Sequence, residues 1–341
     1  MEPWKLGPVT VYPFGLILAA ACLAALLWTA ARMRRAGLRA GTAGWFAMLA
    51  VPMGFVLARL GYCLMIVDQL MGDEDFGFLF RVTEGGFILW GGIAGGLLAA
   101  WLTGRITGQD GAAVADAAAV PACLVIAAGR IAAGLIFRDQ GTGFELAEWF
   151  SPEETDFAAR FSLLPLEDWR FFERLPFAVR NFYDEWCWAI FVPEALWAAV
   201  TGVIVHRTKA RPGGKAALFL LLYACGQIAL EAMLRGEVLH LPWLGFVRAN
   251  QILCAVALLA LWGRFTAALP RGGRLRPALT ALAQLLLAVG VVVAMEFAAF
   301  EKKISLIEWL PADACHLIMI LACLWMALAL LSLWRRKYRT E

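Results

Sequence analysis

Charged residues are scarce in this chain of 341 residues: Asp, Glu, Lys and Arg make up 17% of it, whereas 62% is hydrophobic. A soluble core cannot absorb that much apolar surface, which excludes a cytosolic enzyme. The net charge of +3 is small and the basic residues are dispersed, which excludes a nucleic-acid-binding protein. The eight cysteines show no CxxC or Cys/His spacing. We interpret them as core residues and expect neither a disulfide framework nor a zinc site.

Long apolar runs are present instead, and they recur along the whole sequence. Each has about 20 residues, enough to cross the roughly 30 Å hydrocarbon layer of a bilayer as a helix. We therefore predict an all-α polytopic membrane protein with about nine transmembrane helices. The predicted spans are 11–31, 45–67, 86–107, 114–136, 187–206, 215–235, 247–265, 276–297 and 312–334.

Basic residues concentrate in the connections after spans one, three, five, seven and nine. Cytoplasmic loops of membrane proteins are enriched in Lys and Arg, so this asymmetry predicts an outer N-terminus and a cytoplasmic C-terminus. The basic residues of these connections are Arg32, Arg34, Arg35, Arg39, Arg105, Arg207, Lys209, Arg211, Lys215, Arg264, Arg271, Arg274, Arg276, Arg335, Arg336, Lys337 and Arg339.

One long connection, residues 137–186, interrupts the series of spans with mixed charge and many aromatic residues. It predicts a small outer head region between helices four and five, which is either a solvated loop with an aromatic belt or a lid over a site. The chain then divides into helices one to four at 1–136, the head region at 137–186, helices five to seven at 187–265, and two helices with a basic tail at 266–341.

Few charged side chains lie inside the predicted spans, and the clearest are Arg59, Arg130, Glu194 and Glu231. A charge at the centre of a bilayer costs about 2.5–3.5 kcal/mol on insertion scales, so each needs a partner, a water-filled cavity or a function. With the predicted orientation, all four lie toward the outer leaflet. They form either structural ion pairs or a polar site, and paired Arg guanidinium groups suit the phosphate of a phospholipid.

Span six carries Tyr223, Gln227, Glu231 and Arg235 at intervals of four residues, which places them on one face of a helix. Such a stripe either packs against polar groups of neighbouring spans or lines a cavity.

Span three begins close to Gly85 and Gly86 and continues with further glycines. Glycine at this density allows helix backbones to approach closely. Alternatively, the amides of Gly85 and Gly86 at the helix start bind an anionic lipid head group.

Seven segments carry these residues in order along successive spans. They are Tyr-Pro-Phe-Gly at 12–15, Ala-Arg-Leu-Gly-Tyr at 58–62, Glu-Gly-Gly-Phe-Ile-Leu-Trp-Gly-Gly at 84–92, Asp, Pro and Gly-Arg-Ile within 116–131, Val-Pro-Glu-Ala-Leu-Trp at 192–197, Tyr-x3-Gln-x3-Glu within 223–231, and Asn-Gln-Ile-Leu at 250–253. In order and spacing they resemble the motifs of the prolipoprotein diacylglyceryl transferases. Seven spans resemble the family, and two C-terminal helices are additional, as an accessory packing pair or an interaction surface.

The resemblance implies an enzyme of the bacterial plasma membrane whose site faces the outer leaflet. It would move the diacylglyceryl group of phosphatidylglycerol to the lipobox cysteine of an exported prolipoprotein and release glycerol phosphate. These two substrates would be its partners, and no metal or organic cofactor is implied. The implied catalytic residues are Arg130, Glu231 and Tyr223, and the implied substrate-binding residues are Arg59, Gly85, Gly86, Gln227 and Glu194.

Four positions depart from the family pattern: Trp90 stands at a motif His, Ala133 at an Asn, Gln227 at an Arg, and Val192 at the His of a His-Pro pair. Loss of a general base costs about 10²- to 10⁴-fold in rate. His240, Glu194 or Glu231 could accept the thiol proton instead. The chain is then a divergent transferase, or a phospholipid-binding relative with no activity or another specificity. A transporter would spread its ionisable groups over both leaflets, which the outward clustering disfavours.

Overall fold

A computed structural model describes residues 4–6, 9–72, 76–82, 85–136, 142–145, 178–180, 186–234, 240–241, 244–269, 275–301, 310 and 312–339. Ten α-helices lie within these residues. They are α1 (Pro13–Arg35), α2 (Thr42–Met65), α3 (Val67–Gly72), α4 (Leu89–Thr107), α5 (Gly111–Ile136), α6 (Phe191–Arg207), α7 (Gly214–Ala232), α8 (Ala249–Ala267), α9 (Leu275–Glu301) and α10 (Ala312–Tyr338). A 3₁₀ helix at Phe76–Phe80 follows α3.

The predicted membrane-protein class is confirmed by the length and apolar composition of these helices. In the described part of the chain, seven of them are long and apolar enough to span a bilayer: α1, α2, α5, α7, α8, α9 and α10. Each of the nine predicted spans coincides with a helix, but α4 and α6 fall outside this set of seven. Helix α6 has 17 residues, fewer than the roughly 20 needed for a perpendicular crossing. Helix α4 carries Arg105 in its last turn.

Short antiparallel strands, which were not predicted from the sequence, lie between the helices. Strand β1 (Trp4–Leu6) pairs with β2 (Val9–Val11), both β3 (Thr142–Glu145) and β4 (Ala178–Arg180) pair with β5 (Trp186–Ala189), and β6 (His240–Leu241) pairs with β7 (Leu244–Arg248). The prediction that span five begins at 187 is wrong, because β5 occupies 186–189. Short apolar runs do not distinguish a strand from a helix. Residues 137–141, 146–177 and 181–185 of the predicted head region lie outside the described residues.

The basic connections meet at one end of the helix bundle, which we name the basic end (36–41, 108–116, 208–215, and the ends of α8 and α10). The guanidinium group of Arg32 donates to the Ala117 carbonyl at 2.9 Å. The Asp116 carboxylate accepts the backbone N–H groups of Gly213 at 2.9 Å and Ala216 at 2.8 Å. These contacts join α1, α5 and the start of α7, as expected for long helices that alternate in direction.

Helix α7 occupies the centre of the bundle and packs against α5, α6, α8 and α10. At the basic end, the indole N–H of Trp334 in α10 donates to the Gly214 carbonyl at 2.9 Å. The Arg211 N–H donates to the Tyr338 carbonyl at 3.0 Å, and Arg264 donates to the Tyr338 hydroxyl at 2.9 Å. The last helix is thereby fixed to both α7 and α8.

Glycines in α4 allow its backbone to contact α2 directly. A Cβ atom at Gly91 would lie 2.2 Å from the Leu57 carbonyl oxygen, and one at Gly95 would lie 2.6 Å from Cα of Gly54. Helix packing in membranes relies on such close approach of small residues. The packing interpretation of this glycine-rich segment therefore has a structural basis.

Substitution of Gly95 by alanine is expected to lower the thermal stability of the protein. The added methyl group forces α2 and α4 apart, and overpacking of this kind costs about 1–3 kcal/mol. The matched control is Gly96→Ala, because a Cβ there meets no described heavy atom within 4 Å. Thermal unfolding in detergent should give a lower midpoint for Gly95→Ala and an unchanged or higher one for Gly96→Ala. Equal midpoints would contradict a role for Gly95 in packing.

Candidate functional site

A buried polar network lies at the end of the bundle opposite to the basic end. Helices α5 and α7 finish there and α6 begins there, which brings together side chains far apart in the sequence. Arg130 lies fewer than two turns before the end of α5, and Glu231 lies in the last turn of α7. Glu194 lies in the first turn of α6. Of the four charged side chains expected together, Arg130, Glu194 and Glu231 meet here, and Arg59 does not.

Gln227 connects the two carboxylates of this network. Its side-chain amide donates to Glu194 Oε1 at 2.8 Å and to Glu231 Oε2 at 3.0 Å. An Arg130 guanidinium nitrogen lies 3.4 Å from the same Glu194 oxygen. The polar stripe of α7 therefore faces neighbouring helices, and Gln227 is its central member. Arg235, the last residue of the predicted stripe, lies outside the described residues.

Tyr223 lies one helical turn before Gln227 in α7 and is the remaining described member of the polar stripe. Its hydroxyl is hydrogen-bonded to the Arg130 guanidinium group. Its ring centroid lies 5.9 Å from that of Phe219 and 6.0 Å from that of Trp90. These rings hold the buried phenol in place, so Tyr223 can orient the Arg130 side chain.

Exposure differs sharply within the network. The residues Glu194, Gln227 and Glu231 are each 2% exposed, whereas the Arg130 side chain is 23% exposed. A buried charge is stable only with a partner, which Glu194 provides for the cation. The Arg130 guanidinium group is held by a carboxylate and a phenol, and the Arg130 side chain is the most exposed of these four. Such a group can bind an anion, and phosphate oxygens match its forked geometry.

Three residues of the network were not predicted as site residues: Asn250, Arg248 and Glu296. The Asn250 side-chain amide donates to both oxygens of the Glu231 carboxylate at 3.2 Å. Arg248 donates to the Glu231 backbone carbonyl, and its Nε lies 3.5 Å from Glu296 Oε1. The sequence did give a reason to expect a polar contact at Glu296, because a carboxylate at the end of a predicted span is costly without a partner.

Arg59 is placed differently from Arg130, and its guanidinium group is enclosed by backbone. It is 3% exposed and lies over the Phe78 ring at 4.2 Å from the ring centroid. The carbonyl groups that accept its hydrogen bonds belong to Phe78, Leu79, Arg81, Gly85 and Gly86. Arg59 thus fixes the segment before α4 to helix α2.

Gly85 and Gly86 lie in this same segment, and both have positive φ angles, 79° and 77°. The helix begins at Leu89, so the two glycines precede it and are not its first residues. Their carbonyl oxygens accept from Arg59, and a Cβ at Gly86 would lie 2.6 Å from the Tyr62 ring. These contacts show a structural use for both glycines, while binding of a lipid head group stays a prediction.

His240 is a predicted alternative base and His206 is not, and the two histidines belong to opposite ends of the bundle. His240 pairs with Arg248 in the sheet of β6 and β7, which puts its backbone at the site end, and its side chain lies outside the described residues. His206 contacts Arg32 at the basic end, with 3.3 Å between nitrogens. Across the described residues, no group of three or more His, Cys, Asp or Glu side chains is arranged to hold a metal ion.

The part of the chain that carries this network matches a known protein family. Residues 2–266 match the family described as prolipoprotein diacylglyceryl transferase. The chain belongs to this family. It is thus a multi-pass membrane protein of a bacterial transferase family, and the predicted family is confirmed.

Several phosphatidylglycerol–prolipoprotein diacylglyceryl transferases are similar to this chain. The protein from Frankia alni is 31% identical over 264 residues, covering 75% of this chain and 64% of the relative. One from Frankia casuarinae is 29% identical, covering 75% and 59%. A third, from Paenarthrobacter aurescens, is 30% identical over 234 residues, covering 67% and 70%. The matched part therefore spans less than two thirds of the two Frankia proteins.

The prolipoprotein diacylglyceryl transferase match ends at residue 266, ahead of the last two helices. Arg130, Glu194, Gln227, Glu231 and Asn250 all lie within the matched range. Glu296 in α9 lies beyond it, yet it contacts Arg248 of the network.

Proposed function

We propose that this protein transfers the diacylglyceryl group of phosphatidylglycerol to the lipobox cysteine of exported prolipoproteins. In this proposal all nine long helices cross the plasma membrane, the N-terminus lies outside, and the site faces the outer leaflet. The observation that carries the proposal is the Arg130 guanidinium group, held by Glu194 and Tyr223 in a protein of the transferase family.

The reaction requires two functions from the site. The thiolate sulfur attacks the glyceryl carbon, the carbon–oxygen bond to the phosphate breaks, and glycerol phosphate leaves with the electron pair. Arg130 stabilises the charge that develops on the departing phosphate, which is the kind of preorganised electrostatic contact that lowers a barrier most. A base must also take the thiol proton, because a free thiol is only partly ionised near neutral pH.

Glu231 is the base that the contacts favour. Its carboxylate accepts hydrogen bonds from the neutral amides of Gln227 and Asn250. The Glu194 carboxylate instead faces the Arg130 cation, which stabilises its charged form. His240 remains an alternative base, because its backbone lies near Arg248 at the site end.

The environment of Trp90 favours a second candidate function, phospholipid binding without transfer. The motif resemblance puts Trp90 at the position of the family's His, and Trp90 is buried against Tyr223 with its indole N–H donating to the Cys254 sulfur. An indole has no basic nitrogen and cannot relay a proton. If no other residue supplies that step, the site would still bind the phosphate through Arg130.

Peptide modification separates the two candidates. The purified protein is incubated in detergent with phosphatidylglycerol and a lipobox peptide, and mass spectrometry measures the diacylglyceryl shift on the peptide cysteine. We expect the shift with phosphatidylglycerol and not with a peptide whose cysteine is replaced by serine. A folded protein that binds phosphatidylglycerol but leaves the peptide unmodified would favour the binding function. Failure of both modification and binding would contradict both proposals.

A further inference from the structure

Glu296 is a charged side chain in helix α9, outside the range that matches the family, and the reaction outlined above does not use it. Its side chain is 18% exposed and lies at the site end of α9. A carboxylate in a predicted membrane helix is costly unless something pairs with it. The residues that contact the Glu296 carboxylate therefore indicate its role.

Two residues at the start of α8 contact Glu296: Arg248, immediately before the helix, and Gln251, in its first turn. The Arg248 Nε lies 3.5 Å from Glu296 Oε1, and the Gln251 side chain is hydrogen-bonded to the same carboxylate. Asn250, which holds the Glu231 carboxylate, lies between these two residues in the sequence. The Glu296 carboxylate thus holds residues on both sides of Asn250.

Arg248 transmits this restraint directly to α7. Its guanidinium group donates to the backbone carbonyl of Glu231, one of the last carbonyls of that helix. The Arg248 side chain is 9% exposed, so its charge needs a nearby anion. Glu296 supplies that anion, and the Glu231 carboxylate lies close enough to interact electrostatically with both Arg248 and Glu296.

We infer that Glu296 is a positioning residue for the reacting site, acting through Arg248 and Asn250 on Glu231. Helices α9 and α10 then help to form the site, and α9 fixes the position of Glu231, the proposed proton acceptor. This inference deepens the proposed transferase function and rests on it. It does not involve Arg130, so binding of the lipid phosphate should depend little on Glu296.

The test compares Glu296→Gln with wild type in the peptide-modification assay. We expect kcat to fall about 10- to 100-fold, because small displacements of a reacting group have effects of this size. The KM for phosphatidylglycerol should stay close to that of wild type. Glu296→Asp, which keeps the charge, should recover part of the lost kcat. The matched control is Thr280→Ala, an exposed α9 residue bonded only to its own helix among the described contacts.

Two results would overturn the inference. One is an unchanged kcat in folded Glu296→Gln. The other is a loss of activity that parallels loss of folded protein and is not relieved in Glu296→Asp.

A wild-type protein that does not transfer would refute the proposed function and leave the positioning inference testable. Unfolding midpoints of Glu231→Gln, Glu296→Gln and the double variant then serve as the readout, because coupled residues have non-additive effects. Non-additive midpoint shifts would support the coupling of Glu296 to Glu231, and additive shifts would refute it.

Discussion

Replacing Arg130 by alanine should lower the rate of peptide modification by about 10²- to 10³-fold, the usual effect of removing one donor that stabilises developing anionic charge. Arg130 has a more exposed side chain than Arg248, the other cation of the network, and Glu194 and Tyr223 hold it in one orientation. Without it, the departing phosphate has lost its positively charged partner. The measurement is the initial rate of the diacylglyceryl mass shift on the lipobox peptide.

Loss of Arg130 also leaves Glu194 as a buried charge, which could unfold the protein and mimic an effect on catalysis. The double variant Arg130→Ala with Glu194→Gln removes both charges and should be folded but still slow. Arg105→Ala serves as the matched control, because Arg105 lies over the Trp101 ring near the basic end. A folded double variant that modifies the peptide at the wild-type rate would refute the assignment of Arg130.

Glu231→Gln is expected to slow peptide modification by about 10²- to 10⁴-fold, the contribution typical of a general base. The substitution keeps the size of the side chain and removes its capacity to take a proton. A glutamine at this position also places an N–H group where Gln227 and Asn250 both donate. Activity should be measured at saturating phosphatidylglycerol, so that the change reports on the chemical step and not on lipid binding.

Asp110→Asn is the matched carboxylate-to-amide control, since Asp110 is exposed and accepts the Ala112 N–H at the opposite end of the bundle. It should modify the peptide at the wild-type rate. A Glu231→Gln protein that retains the wild-type rate would assign the proton transfer to another residue, with His240 next to be tested.

The sequence was sufficient to predict the membrane class and the meeting of Arg130, Glu194 and Glu231. Alternating helices and the depth of each charge in its span determine which side chains share an end. The interval of four residues likewise predicted that Tyr223 and Gln227 lie on one face with Glu231. These inferences need only helix geometry and the cost of a charge in lipid.

The parts that could not be predicted depend on contacts between distant segments. Arg59 resembled Arg130 as a charge within a span, but its partners are backbone carbonyls of a non-helical segment, which carry no sequence signature. The β strands have two to five residues, too few to show a reliable alternation. Arg248 and Asn250 lie at the start of α8, where charge and polarity are ordinary for a membrane interface, and only the structure connects them to Glu231.

The fixing of α10 to α7 has a consequence for biogenesis. During synthesis α7 enters the membrane before α9 and α10 exist, and the face that later packs against α10 is then exposed to lipid or to the insertion machinery. Trp334 and Tyr338 can join α7 and α8 only after nearly all of the described chain has been translated. Glu296 likewise reaches Arg248 only at that late stage. The network around Glu231 is therefore completed only after translation of its own helix.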